Sequence, residues 1–306
     1  MSHMHSSIQE SDMIDTAAID KETAVTRSTF FGTFWRRFRR NRMAVAGMAV
    51  VLLFALMAIF APYLAPHDPL VSNVRHRLQP PSSEHLLGTD SLGRDMLSRI
   101  MYGSRISLLI ALLAVTLAIA IGIPIGALAG YYGGMVDSIS MRFVDLLLSF
   151  PSLFLILTLV ALLGPSIWVL IVVMGGLGWT GIARIVRAEF LKLREEAFTE
   201  AARAVGVGNM RIIFRHLLPN TMAPVIVTVT LGIPGMILGE SALSFLGLGV
   251  LPPQMSWGSL INLGLPFFHT AWWLVIFPGI AILLCVLGYN FLGDGLRDSL
   301  DPRLKV

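Results

Sequence analysis

Charge is scarce in this chain. Of 306 residues, 23 are Lys or Arg and 19 are Asp or Glu, 14% together, where a soluble domain carries about 25%. The apolar residues, 55% of the total, gather in long uncharged runs, and the mean hydropathy is +0.74. An ordinary soluble globule is thereby excluded in favour of a membrane-spanning chain. Cysteine is nearly absent. Cys285 lies alone inside an apolar run, which excludes an internal disulfide and a thiolate metal centre and reads as a packing residue. Lysine is as rare. Lys21, Lys192 and Lys305 each precede a residue other than Ser or Thr, so the Gly-Lys-Ser/Thr phosphate cradle is missing and ATP hydrolysis is not expected of this chain. No His, Ser or Cys constellation converges in the apolar runs, and no metal site or bound cofactor is expected. No internal repeat is evident.

The net charge of +4 does not point to nucleic acid. Arg36, Arg37, Arg39, Arg40 and Arg42 cluster just before the first apolar run, as the positive-inside rule expects of a cytoplasmic N-terminus, with contact to anionic lipid as a minor extra role. That run begins near Met43, too late and too long for a cleavable signal peptide. Residues 1–28 are polar and read as disordered, and their opening residues resemble a cloning remnant.

Runs of about 20 apolar residues predict six spans. They are Met43–Leu64, Ile106–Gly130, Met141–Leu163, Ile167 to about Arg184, Thr221–Gly247 and Ala271–Leu292. The polar stretch His67–Arg105 is expected outside, although Arg75, Arg77, Arg94, Arg99 and Arg105 fit that side poorly. The stretch Leu251–Thr270, with Trp257, reads as an interfacial loop with aromatic anchors, and the tail from Gly293 as polar. Six spans place both termini and the interval Arg184–Arg215 in the cytoplasm. The divisions expected are an N-terminal region over 29–102, a core over 103–297 containing a cytoplasmic loop over 188–219, and a tail over 298–306.

Ala114, Ala118, Gly122, Gly126 and Gly130 recur every four residues and form one small-residue ridge, facing either this bundle or a partner subunit. Asp145 and Glu240 are ionisable groups inside apolar runs. Such groups face a bundle interior or a pathway, so each is either an ion or substrate site or a satisfied structural carboxylate. Arg142 is the expected neutralising neighbour of Asp145. Residues Glu195–Arg203 are good helix formers. Ala201 and Ala202 offer a small face to another protein, Glu200 and Arg203 flank it, Gly206 and Gly208 permit positive φ, and Leu218-Pro219 sets the entry to the fifth span.

The pattern Glu200-Ala201-Ala202, three residues, Gly206, then Leu218-Pro219 resembles the loop with which ABC importer permeases grip their ATPases. His85-Leu86-Leu87-Gly88-Thr89-Asp90-Ser91-Leu92-Gly93-Arg94-Asp95, Ser244-Phe245-Leu246-Gly247-Leu248-Gly249 and Gly293-Asp294-Gly295-Leu296-Arg297-Asp298-Ser299-Leu300-Asp301-Pro302 narrow the resemblance to the C-type permease of the dipeptide/oligopeptide/nickel family. His216 departs from the aliphatic residue of the general pattern. The resemblance implies an all-α type I importer fold in a bacterial or archaeal cytoplasmic membrane. It also implies a homologous B-type permease, two cytoplasmic subunits that bind ATP and magnesium, and an external substrate-binding protein. Cargo would cross between the permeases by alternating access. Short peptides are expected, and nickel chelates or oligosaccharides are carried elsewhere in the family. The rival reading is a self-sufficient secondary transporter or channel using Asp145 or Glu240.

Overall fold

The computed structural model of the chain describes residues 30–300. The disorder expected over 1–28 and residues 301–306 of the tail lie outside the described residues. Those described are helical, with one isolated bridge between Thr89 and Asp95. Helix α1 (Phe30–Arg40) buries Phe38 and leaves Arg36, Arg39 and Arg40 exposed. Asn41 ends it and caps α2 (Arg42–Leu64) by accepting a bond from Ala44 N at 3.1 Å.

The remaining long helices are α3 (Met96–Tyr132), α6 (Ile167–Leu193), α8 (Asn209–Phe245) and α10 (Trp273–Leu300). Between α3 and α6 lie α4 (Gly134–Leu148) and α5 (Ser152–Leu163), bent by 81° at the break. The third span, expected over Met141–Leu163, is therefore a broken one that starts at Gly134. Pro151 disfavours helical geometry at Phe150 and supplies no N–H for the preceding turn. Four other spans run beyond their expected ends, among them α8, which starts at Asn209 and not at Thr221. Helix α3 starts at Met96, α6 continues to Leu193, and α10 continues to Leu300 instead of giving way to a polar tail at Gly293.

The packing of α3 on α6 fixes the number of crossings. A Cβ on Gly122 would lie 2.8 Å from Trp179 O, one on Gly126 2.5 Å from Ala183 O, and one on Gly130 2.6 Å from Phe190 Cβ. Reciprocally, a Cβ on Gly175 would lie 2.6 Å from Ala114 O. The small-residue ridge thus faces α6 of its own chain, and its glycines let the two backbones meet. Residue numbers rise together along this contact, so α3 and α6 run parallel. The chain must return between them, and α4 with α5 makes that return. The bent pair is one span, and the total is six.

Helix α10 runs antiparallel to α2. Gly47 meets Gly288, Gly295 meets Ala44, and Asn41 Nδ2 donates to Asp298 Oδ2 at 3.4 Å. At the other end of the bundle, His67 N donates to Ser98 Oγ at 3.1 Å, so the exit of α2 meets the start of α3. The start of α2, the end of α3, the end of α6 and the end of α10 therefore share one side of the bundle.

The opposite side is closed by a cap built from residues 65–95 and by α9 (Trp257–Gly264). Two of the arginines that fitted poorly there, Arg94 and Arg99, are held by the chain itself. Arg94 Nη2 lies 2.7 Å from Asp90 Oδ2, and Arg99, 3% exposed, approaches the same oxygen at 3.5 Å and Pro69 O at 3.3 Å. Gly88 and Gly93 have φ of +77° and +74°, and a Cβ on Gly93 would run into Asn73 O. These contacts account for both glycines of the His85–Asp95 motif. Trp257 is not an interfacial anchor. It is fully buried, packs edge-on against Phe54 at 5.4 Å, and its Nε1 donates to Ile100 O at 3.1 Å.

Candidate functional site

The segment after α6 leaves the bundle and returns within a few turns. Thr199 Oγ1 donates to Leu193 O at 2.8 Å and fixes the start of α7 (Ala197–Ala204) against the end of α6. The C-terminus of α7 closes as a Schellman motif. Gly206 N donates to Arg203 O at 2.9 Å and Val207 N to Ala202 O at 3.0 Å, with Gly206 at φ +80°. Val207 and Ala202 supply the accompanying apolar contact. Gly208, expected to share the positive φ, instead lies at −65° and precedes α8 as its N-cap.

Two faces of α7 differ. Thr199 and Ala202, one turn apart, are buried, Ala202 in one cluster with Ile212, Ile213 and Leu217 of α8 and Tyr131 of α3. Phe198, Ala201 and Val205 face away from the bundle, with Phe198 42% and Val205 78% exposed. Met210 and Phe214, at the start of α8, are likewise apolar and exposed. Only Ala201 of the alanine pair is thus available to another protein, and the outward placement of Ala202 is corrected. Glu200 is exposed. The Arg203 guanidinium lies over the Tyr131 ring at 5.4 Å, and Tyr131 Oη donates to Asn209 Oδ1 at 2.9 Å. Arg203 therefore locks α7 onto α3 as well as carrying charge.

Leu218-Pro219 does not open a separate helix. It follows a π-helical turn, Ile212–Leu217, inside the continuous α8. Pro219 lacks the N–H that would bond Arg215 O, and the wider turn accommodates its ring. Leu218 is half-buried and Pro219 exposed.

The two intramembrane carboxylates have separate surroundings. Asp145 pairs with Arg184 of α6 and not with Arg142. A second pair without a signal in the sequence, Asp137 with Arg187, joins α4 to α6 nearby through Arg187 Nη2 and Asp137 Oδ2 at 2.5 Å. Glu240 is fully buried where α3, α8 and α9 meet. Ser244 Oγ donates to its Oε1 at 2.6 Å and Ser107 Oγ to its Oε2 at 3.2 Å. Ser107 Oγ accepts in turn from Trp257 N at 3.1 Å, and Ser256 Oγ lies 3.3 Å from Ser244 Oγ. Short serine side chains follow no pattern that marks them as partners, so this network is not legible in the sequence.

Comparison with known proteins gives the chain its relatives. Residues 122–306 match the family described as binding-protein-dependent transport system inner membrane component, and residues 29–81 match the N-terminal TM domain of oligopeptide transport permease C. The dipeptide transport system permease protein DppC of Alkalihalophilus pseudofirmus is 44% identical over 288 residues, which cover 94% of this chain and 93% of that protein. DppC of Escherichia coli K12 is 46% identical over 278 residues, covering 89% and 93%. The oligopeptide transport system permease protein OppC of Bacillus subtilis is 38% identical over 298 residues, covering 96% and 98%. In fold, the chain is similar to a solved structure of the MetNI methionine ABC transporter in an inward-facing conformation. The TM-score is 0.54 at 17% identity, over 67% of this chain and 98% of that one. Family matches over both parts of the chain and relatives of its full length agree: the chain belongs to the binding-protein-dependent transport system inner-membrane components, in their C-type dipeptide and oligopeptide permease branch.

Proposed function

We propose that this chain forms half of the pathway by which an ATP-driven importer moves dipeptides or short oligopeptides across the cytoplasmic membrane. A homologous B-type permease supplies the other half. Two cytoplasmic subunits bind ATP and magnesium and hydrolyse the nucleotide, and an external binding protein delivers the peptide. The observation that carries the reading is the full-length similarity to dipeptide and oligopeptide permeases. The arginines of α1, α7 and the end of α10 lie on one side of the bundle, which supports reading that side as the cytoplasmic one.

Helix α7 supplies the mechanical link. Phe198, Ala201 and Val205 are apolar and exposed on that side, and they suit a cleft in an ATP-binding subunit. Movement of that subunit pulls α7. The Thr199, Arg203 and Gly206 contacts pass the pull to α6, α3 and α8, the helices that meet at its base. Glu240, saturated by serines and closed from solvent, gives no support to a self-sufficient ion-coupled carrier.

The test is uptake into proteoliposomes. The complex of both permeases and both ATPases should accumulate labelled dipeptide only with ATP and binding protein together. Specific uptake with this chain alone, driven by an ion gradient, would overturn the proposal.

A further inference from the structure

Three histidines far apart in an unremarkable stretch of sequence meet in the cap opposite α7. His67 follows the exit of α2, His76 ends a 3-10 turn (Val74–His76), and His85 opens the motif that leads into α3. His85 is buried, and its Nδ1 lies 2.9 Å from Asp95 Oδ1. Asp95 is itself held: its other oxygen accepts from Ser98 N at 2.8 Å and Ser98 Oγ at 2.7 Å. The carboxylate therefore accepts a hydrogen bond from His85 Nδ1–H, which fixes the tautomer and leaves Nε2 as a bare lone pair. That lone pair points at His76 Nδ1, 3.4 Å away, with the exposed Glu84 beside both. One ligand atom from each of His76, Glu84 and His85 falls within 4.8 Å of the others. They line a cavity of about 240 Å³ together with His67 and Asp68. The Nδ1 of His67 is buried there without a hydrogen-bond partner, 3.6 Å from Asp95 Oδ1.

We propose that His76, Glu84 and His85 bind one divalent transition-metal ion of the zinc type on the external cap. Ligand atoms around a tetrahedral zinc with bonds of about 2.0–2.1 Å lie about 3.3 Å apart. The two histidine nitrogens already have that spacing, and Glu84, on the surface, closes onto the ion by a rotamer change. Asp95 acts from behind His85, in the carboxylate–histidine–metal arrangement that fixes tautomer and ring orientation. Two imidazoles with one carboxylate favour zinc or copper over magnesium or calcium. A water completes the four-coordinate site, while the unpartnered His67 nitrogen lies on the Asp95 side of His85. The ion ties the 3-10 turn to the loop that enters α3, so it clamps the cap over the outer ends of α2, α3 and α10.

The competing arrangement is a metal-free chain of hydrogen bonds from His76 through His85 to Asp95. Zinc titration of the detergent-purified full-length chain, stripped with chelator and carrying His3→Gln and His5→Gln to remove the terminal histidines, separates the two. One zinc per chain is expected, and His76→Gln and Glu84→Gln should each weaken it by about tenfold or more without altering the helical circular dichroism. Cobalt bound in its place should show the intense visible band of a four-coordinate site. His67→Gln should weaken binding less than either ligand change. The proposal is overturned by the absence of stoichiometric zinc, by affinity that ignores both His76→Gln and Glu84→Gln, or by affinity that depends chiefly on His67, which would move the ion to the Asp95 side of His85.

Discussion

Gly206 carries a backbone geometry that other residues resist. At φ +80° nothing lies within 4 Å of an added Cβ, so the penalty of a substitution is conformational and not steric contact. An L residue in this region loses about 1–2 kcal/mol, and a β-branched one more. Gly206→Val should unwind the Schellman closure of α7 and abolish binding-protein-stimulated ATP hydrolysis by the assembled complex. Gly206→Asn, which tolerates positive φ, should keep most of it. Equal activity in the two variants would show that the turn does not matter. The Gly was legible in the sequence because its spacing from Glu200-Ala201-Ala202 marks a helix end. The inward turn of Ala202 was not, because a short helix is oriented by what it packs on, here Ile213 and Leu217, and not by its own residues. Ala202→Trp should therefore disrupt the seat of α7 and lower the melting temperature of the isolated chain, whereas Ala201→Trp should leave melting unchanged and weaken copurification of the ATPase. Glu240 belongs at this scale too. Glu240→Ala strands the hydroxyls of Ser107 and Ser244 in the core, a loss of about 1–3 kcal/mol. The variant should melt well below the wild type, and melting at the wild-type temperature would contradict the network.

At the scale of elements, the contact between α3 and α6 depends on the absence of side chains at Gly122, Gly126 and Gly130. A methyl at Gly126 would sit 2.5 Å from Ala183 O, so Gly126→Ala should separate the helices and destabilise the chain by about 1–3 kcal/mol. Gly181→Ala, on α6 where nothing lies within 4 Å of the added Cβ, should be neutral or slightly stabilising. Thermal unfolding of the two variants in detergent checks the contrast, and equal effects would contradict it. The spans themselves were legible because an uncharged apolar run of about 20 residues matches the thickness of the bilayer's hydrocarbon core. Their ends were not. Arg105 and Arg184 bound the expected spans, yet the helices run on through them. Arg105 lies over the Tyr102 ring at 5.8 Å, and Arg184 pairs with Asp145. In the extensions, Arg99 and Arg187 pair with Asp90 and Asp137. The break between α4 and α5 was visible as Pro151, but its 81° angle is set by packing that no single segment encodes.

At the scale of the whole molecule, the parallel run of α3 and α6 requires an even number of crossings from α2 to α10, which leaves α1, α7 and Asp298 on one side. On a Cys285→Ala background, a cysteine at Asp298 should escape an impermeant thiol reagent in intact cells, and one at Ser82 should react. The reverse pattern would invert the topology. Recognition of the family rested on four short motifs. Their physical roles emerged only in three dimensions: Gly88 and Gly93 fold the cap, Ser244 holds Glu240, and Gly295 lets α10 meet α2. The histidine cluster carried no sequence signal, since its members come from three turns joined only by folding.

Docking of α7 on an ATP-binding subunit is tested most directly by a photo-crosslinking amino acid placed at Val205, the most exposed apolar position of this surface, in the assembled complex. Illumination should join this chain to the ATPase in high yield, and the same probe at Ser82 should give no such product. Failure of the Val205 probe to reach the ATPase in a complex that hydrolyses ATP on stimulation, or an ATPase adduct from Ser82, would contradict the coupling role and the sidedness together.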